Sequence, residues 1–490
     1  MKINTNYNSM GHVIITMVCL LPLLTGCEKY LNNTKLPSGT IAGTEAFVSD
    51  NAISAIVTGN FMNLNNSGAF GGGSAANIAY ITGLYTDELK PLPNTNTTNA
   101  AFYADVITSS NTTHWADLYS RLYAVNAAIE GINSTTASLY YKDQWLGESY
   151  FTRALLYYYL VNIYGDLPLA VTSDYTINNK LSRAPQSQVY QQIIADLKEA
   201  QRLLSITDYK DGYGKVTTLR VRPNGTVATA LLAKMYLYSQ EWANAEAAAT
   251  SIINKAAYKL ETPARVFLAG SQETIWALAT NSTSAEKRTY EYDFYNGGMP
   301  ATTTSAPNIA YSVLVSMNST LLNAFETNDA RYSNWVRSTI YTPAGGTAIT
   351  YYFPNKFKSS TGGVERTAIL RLADMYLIRA EARARQNNVT GANSAETDVN
   401  TIRTRAGLAA TTAATQTAML GAIAKERQIE LFSECGNRFF DLKRTGAIDG
   451  VMTVVAPQKG GTWSPFKQLW PIAVSENVLN PNLALNPGYQ

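Results

Sequence analysis

Apolar residues recur at three- and four-residue spacings through most of this chain, the period of helices that bury one face. Over 115–132 the stripe is Leu118, Leu122, Val125 and Ile129. The next segment carries two stripes: Tyr150, Ala154, Tyr157, Val161 and Tyr164, then Phe151, Leu155 and Tyr158. That pattern predicts a helix buried on most sides. Gly165 is placed to end it and Pro168 to stop it. Val189, Ile193, Ile194, Leu197 and Leu203 predict an amphipathic helix over 188–204. Residues 224–253 read as a helix pair in which Tyr236, Trp242, Ala245 and Ala249 follow a tetratricopeptide spacing, with small residues where paired helices approach. Residues 371–405 read as a second unit, broken at 387–391.

The period fails in three stretches. Residues 67–112 carry Gly68, Gly71, Gly72 and Gly73, then a run rich in Asn, Thr and Ser. Residues 280–365 hold short strand-like runs such as 349–353, and 452–490 is rich in Pro and Asn with no helical signal. The expected fold is mainly α, a tetratricopeptide-like helical repeat scaffold with long irregular loops and a few short strands. Loops of that length are either functional or disordered.

Composition narrows the function. Of 490 residues, 46% are hydrophobic, enough for a core, but only 15% are charged against about 25% in ordinary soluble proteins. With 39 basic and 36 acidic residues, no single-sign field exists for coating nucleic acid. The 31 tyrosines against 14 phenylalanines favour rings that keep a polar tip. Two histidines and three cysteines are too few for zinc, iron–sulfur or disulfide scaffolds.

The first 27 residues change the compartment. An almost wholly apolar run over 13–24 fits a signal-peptide core and is too short to span a membrane. It ends in Leu24, Thr25, Gly26 and Cys27, which resembles a bacterial lipobox. Residues 1–26 are expected to be a lipoprotein signal peptide, Cys27 the lipidated residue and 27–40 a polar tether. Residues 41–490 then form a single domain. With Cys27 blocked by lipid, Cys435 has no intramolecular partner, so no disulfide is expected.

Chemistry-bearing motifs are sparse. The glycines at 71–73 lack the preceding strand of a phosphate-binding loop. His114, beside Trp115, is expected to be a surface or capping residue. Carboxylate pairs for glycoside hydrolysis could come from Asp87 and Glu88, Asp166, or Glu291 and Asp293. Residues 423–446 alternate charges around apolar positions, with Glu426, Arg427, Glu430, Glu434, Arg438, Asp441, Lys443 and Arg444. A structural ion-pair cluster is the expected reading. No catalytic residue, metal ligand or cofactor is assigned.

Several ordered motifs carry a resemblance. They include Gly147-Glu148, Arg153-Ala154 and Tyr164-Gly165-Asp166-Leu167-Pro168. Asp374-Met375-Tyr376-Leu377, Arg405-Ala406-Gly407-Leu408, Glu426-Arg427, Asp441-Leu442 and Leu469-Trp470-Pro471-Ile472 follow. Asn486-Pro487-Gly488-Tyr489 closes the series. Over essentially its full length the chain resembles SusD/RagB outer-membrane nutrient-binding lipoproteins of Bacteroidetes. It departs from them at Cys435-Gly436-Asn437, where a bulky aromatic and then Gly-His are commoner. The resemblance implies a SusD-like fold with four tetratricopeptide-like helix pairs opposite an irregular face. It implies a surface-exposed, lipid-anchored protein of the cell outer membrane. Such a protein captures a glycan and passes it to a SusC-like TonB-dependent transporter without cleaving it.

Sugar capture needs rings against C–H faces and planar polar groups against hydroxyls. The sequence offers Phe70, Asp87, Asn96 and Tyr103 in the first loop zone, and Tyr292, Tyr295, Asn296 and Trp335 in the second. At least two of these rings are expected to line a shallow surface platform. Other readings of the chain are a peptide- or protein-binding module, a glycan hydrolase, and a lid with negligible affinity of its own.

Overall fold

The computed structural model describes residues 46–66, 69–71, 77–93, 96–280 and 286–489. The signal peptide, Cys27 and the tether lie outside them, as do Gly68, Gly72 and Gly73. Helices of eight residues or more are α1 (Asp50–Asn66), α2 (Ile78–Tyr85), α3 (His114–Ser134), α4 (Lys142–Tyr164), α5 (Gln186–Leu203) and α6 (Gly225–Tyr238). After them come α7 (Trp242–Ile253), α8 (Leu372–Arg385), α9 (Ala395–Arg405), α10 (Gln416–Glu430), α11 (Asn437–Arg444) and α12 (Ile448–Gln458). From α3 to α9 each of these helices packs on the next, and α10 packs back on α8. This is the mainly α repeat scaffold that the periodicity implied.

Local chemistry sets the helix ends. Asn224 caps α6, its side chain accepting from Val227 N at 3.0 Å. Gly165 ends α4 at φ +76°, a conformation that costs glycine nothing. Ala245 and Ala249 are fully buried where α7 meets its neighbours, so the small residues sit at a close approach. The doubly striped α4 is buried along nearly its whole length, and its Tyr158 hydroxyl donates to Tyr238 of α6.

Short strands join the inserts to this array. They are β1 (Leu89–Pro91), β2 (Thr274–Leu278), β3 (Val315–Met317), β4 (Val336–Tyr341), β5 (Ile349–Pro354) and β6 (Thr367–Arg371). β1 pairs antiparallel with β3, and β4 with β5, while β6 pairs with β2 through a register shift. The β1–β3 pairing brings the two loop zones read from the sequence onto one face, and Asn308 reinforces it by donating to Pro93 O at 2.6 Å.

Two sequence expectations need correction. The stretch 452–490 is not free of helix: α12 enters it, and Val474–Leu479 forms a further short helix. Ile448, Met452, Val455 and Ala456 form the buried stripe of α12, and a boundary at 452 cuts that stripe in half. His114 is not at the surface. It is buried at the start of α3, with its ring 5.5 Å from that of Trp470.

Candidate functional site

Four of the five expected binding rings lie in the core. Trp335 is fully buried and its indole donates to Pro263 O at 2.7 Å. Phe70 packs edge-on against Tyr159 of α4 at 4.6 Å. Tyr295 stacks on Tyr80, and Tyr292 joins the cluster around Trp335. These four rings therefore do not form a surface platform. The reason is that Phe70 and Tyr295 enter the main core beside the helices, while Tyr292 and Trp335 fill a smaller satellite core.

The polar candidates are also engaged. Asp87 is buried and receives two bonds from Arg438, at 2.8 and 2.6 Å. Asn296 receives a bond from Arg337 at 2.7 Å and donates to Asn355. Asn96 is exposed, its carbonyl oxygen capping the helix Thr97–Tyr103 through Asn99 N. Tyr103 is half-buried, with the Lys459 ammonium 5.3 Å from its ring centre. Of the eight candidates, these last two keep access to solvent, and both lie on the face the two inserts share.

The carboxylate pairs are held in structural contacts. Asp166 accepts from Gln186 N at 2.9 Å, and Asp293 pairs with Arg288 at 2.7 Å. Burial raises Glu291 to about 7, and its carboxyl accepts from Thr367 at 2.9 Å. Burial raises Glu88 further, to about 8, with the adjacent Asp87 adding to the shift. In an unfolded chain Glu88 would ionise near 4.3. Between that pH and about 8 the folded state binds the extra proton, so stability falls as pH rises. Glu88→Gln is therefore expected to change little at pH 4 and to stabilise increasingly up to pH 8. Urea midpoints at pH 4, 6 and 8 check this. A variant no more stable than the parent at pH 8 would show that the carboxylate ionises without penalty.

The charged run 423–446 is a structural network. Its partners come mostly from other segments: Arg427 bonds Asp374 of α8 as well as Asp441, and Arg444 bonds Glu381 as well as Asp441. Among the described residues, no cluster of three or more His, Cys, Asp or Glu side chains is arranged to hold a metal ion.

Sequence reading missed the aromatic groove. It lies between the first half of α3, residues 168–179 and the C-terminal stretch 476–483, with a volume of about 410 Å³. Trp115 and Tyr119 form its floor, their ring centres 4.8 Å apart. Tyr123 and Tyr175 stand at its rim, 58% and 74% exposed. Asn178, Asn179 and Glu476 supply polar groups. Asn178 donates to Thr172 O at 2.8 Å, and among the described residues its carbonyl oxygen has no hydrogen-bond partner. The one sequence signal was the stripe Trp115, Tyr119 and Tyr123 at i, i+4 and i+8, which reads equally well as core.

A helix-repeat scaffold with a ring-lined cleft is the class of protein this geometry defines. The chain belongs to the SusD family, whose profile matches residues 178–489. A second profile, described as starch-binding associating with outer membrane, matches residues 70–237. SusD-like protein P25 of Formosa agariphila is 24% identical over 97% of both chains. SusD-like protein P2 of the same organism is 25% identical, and that match spans 46% of its length. A SusD superfamily protein from Bacteroides vulgatus superposes with a TM-score of 0.73 at 20% identity, covering 90% of this chain and 99% of the other. A laminarin-binding SusD-like protein superposes with a TM-score of 0.70 at 22% identity, covering 90% and 100%.

Proposed function

We propose that this protein is a lipid-anchored glycan-capture protein of the outer membrane that delivers its ligand to a TonB-dependent transporter. Family membership, the starch-binding description of residues 70–237 and the laminarin-binding relative support the glycan. The observation that carries the reading here is the groove of Trp115, Tyr119, Tyr123 and Tyr175 beside Asn178 and Glu476. Rings present flat faces to sugar C–H groups, while amide and carboxylate groups take the hydroxyls. Each stacked ring contributes about 0.5–1.5 kcal/mol, so several must act together to reach micromolar affinity. Of the carboxylates weighed for hydrolysis, Asp87 and Asp293 are in ion pairs, Asp166 accepts from a backbone N–H and burial raises Glu88 and Glu291, structural roles that fit capture without cleavage. Cys27 is the proposed lipid attachment, and the helix array the proposed docking face for the transporter.

Calorimetry against a panel of neutral polysaccharides, followed by chromatography of each mixture, tests this. Binding with unshortened glycan is expected. Tyr123→Ala and Tyr175→Ala are each expected to weaken it about threefold to tenfold, the loss of one stacked ring. Tyr103→Ala on the insert face serves as the comparison. If only Tyr103→Ala weakens binding, the glycan sits on the insert face instead. Shortened glycan would overturn the non-enzymatic reading.

A further inference from the structure

A second cleft, where α4, α5, the α6–α7 turn and α11 meet, is larger than the aromatic groove at about 680 Å³. Lys443 of α11 projects into its wall. The ammonium donates to Asn162 O in the last turn of α4, satisfying one of that helix's free carbonyls, and lies 5.0 Å from the Phe439 ring centre. An ammonium has three donors, so two remain for another group. The other cations of α11 have carboxylates: Arg438 has Asp87, and Arg444 has Asp441 and Glu381. Among the described residues, no carboxylate lies within ion-pair distance of Lys443. The rest of the wall is mixed: Gln186, Gln191, Tyr190 and Gln240 are neutral and polar, Ile194 and Leu469 are apolar, and Glu241 and Arg444 are charged.

The geometry points to this cleft as a binding site for a carboxylated saccharide, with Lys443 pairing the sugar carboxylate and the surrounding glutamines taking its hydroxyls. Lys443 is a wall cation without a carboxylate partner, so it favours an anionic group beside it, and the Glu241 carboxylate in the same wall disfavours a guest with more than one negative charge. A single cation suits a monoanion better than a phosphate dianion. The half-buried Tyr190 offers a ring to the sugar's C–H face. Burial, with no acid to offset it, lowers Lys443 to about 7, so a carboxylate arriving beside it would restore the charged form. The site is built on different elements from the aromatic groove and does not depend on that groove binding anything.

The test is calorimetry of the full chain with galacturonate, which carries one carboxylate, and with its methyl ester, which removes the charge and adds one methyl group. The acid is expected to bind at least tenfold more tightly than the ester. Lys443→Met should bring the ratio close to one, and Lys443→Arg should keep most of the preference. Raising the pH from 6 to 8 should weaken acid binding about tenfold as Lys443 deprotonates. Tyr190, Tyr238 and Arg444, which also line the cleft, do not follow that course. Burial raises Tyr190 to about 12 and holds Tyr238 well above its ordinary value, Arg444 stays charged, and Glu241 is engaged by Ser239 and Asn244. Equal binding of acid and ester, binding of neither, or a Lys443→Met variant that melts lower yet keeps the acid preference would each overturn the site. Neutral glycan binding that responds to Tyr123→Ala would be unaffected by any of these results, so the two readings fail separately.

Discussion

Replacing Glu430 by glutamine is expected to destabilise the fold by about 3–5 kcal/mol, the cost of breaking a buried ion network on one side. Glu430 closes α10 and is fully buried. It receives bonds from Arg371 at 2.6 Å, from Arg331 at 3.0 Å and from Arg405. Burial opposes its ionisation, but Arg405, Arg371 and Arg331 together outweigh burial and hold its carboxyl well below the usual range. The same arginines also bond Asp329, Glu273 and Glu434, so the network fastens the insert and β6 to the ends of α9 and α10. Glutamine keeps the shape and removes the charge, leaving three buried cations short of one carboxylate. Urea denaturation at pH 7 would measure the loss. The sign with pH follows from the lowered pKa. Glu430 contributes its full stability above about pH 4.3 and loses it as pH falls through its folded pKa. The gap between parent and variant should therefore close in acid. A gap of under 1 kcal/mol at pH 7 would mean that the remaining carboxylates compensate the arginines.

Trp470→Ala should cost about 3–5 kcal/mol through the cavity it leaves. The ring is fully buried among Tyr85, Phe102, His114 and Phe439, with centres 5.2–6.0 Å away. Its backbone N–H donates to Ile163 O at 3.1 Å, and its carbonyl receives a bond from Asn486 at 2.7 Å, so the residue pins the C-terminal segment to the end of α4. Among the described residues its indole N–H has no hydrogen-bond partner, so Trp470→Phe should cost much less than the alanine. Thermal melts separate the two variants. Limited proteolysis should cut the alanine variant faster within 463–489. Because this segment carries Glu476 and Asn480 into the groove, glycan binding should weaken with it. An alanine variant that resists protease as the parent does would show that the segment is held without the indole.

Reading exposure from sequence failed for a specific reason. Tyr292, Tyr295 and Trp335 lie in segments without a sustained period, and such segments are ordinarily at the surface. Here Val336 of β4 and Tyr352 of β5 pack with Tyr292 and Trp335, that cluster closes with Phe432 from beyond α10, and Tyr295 enters the main core beside Tyr80. The charged run 423–446 was recognisable as an ion-pair cluster because charges alternate around apolar positions. Its partners Asp374, Glu381, Arg371 and Asp87 lie outside the run, so no local spacing could name them.

The sequence by itself determined the helices of the repeat array, α3 to α9, and their order. A period of three to four residues, caps such as Asn224, terminators such as Gly165 and small residues such as Ala245 act within a few positions of themselves. It also carried the family, through motifs spread over the whole chain. Tertiary structure decided which rings meet solvent and that, among the described residues, no carboxylate reaches Lys443. The groove joins α3 to residues 476–483, and a wall contact runs from Asn480 to Leu181 across 299 positions. Lys443 lacks a carboxylate because its end of α11 faces the carbonyl end of α4. Burial and pairing depend on which distant segments pack together, and helical period records only which side of each helix turns inward.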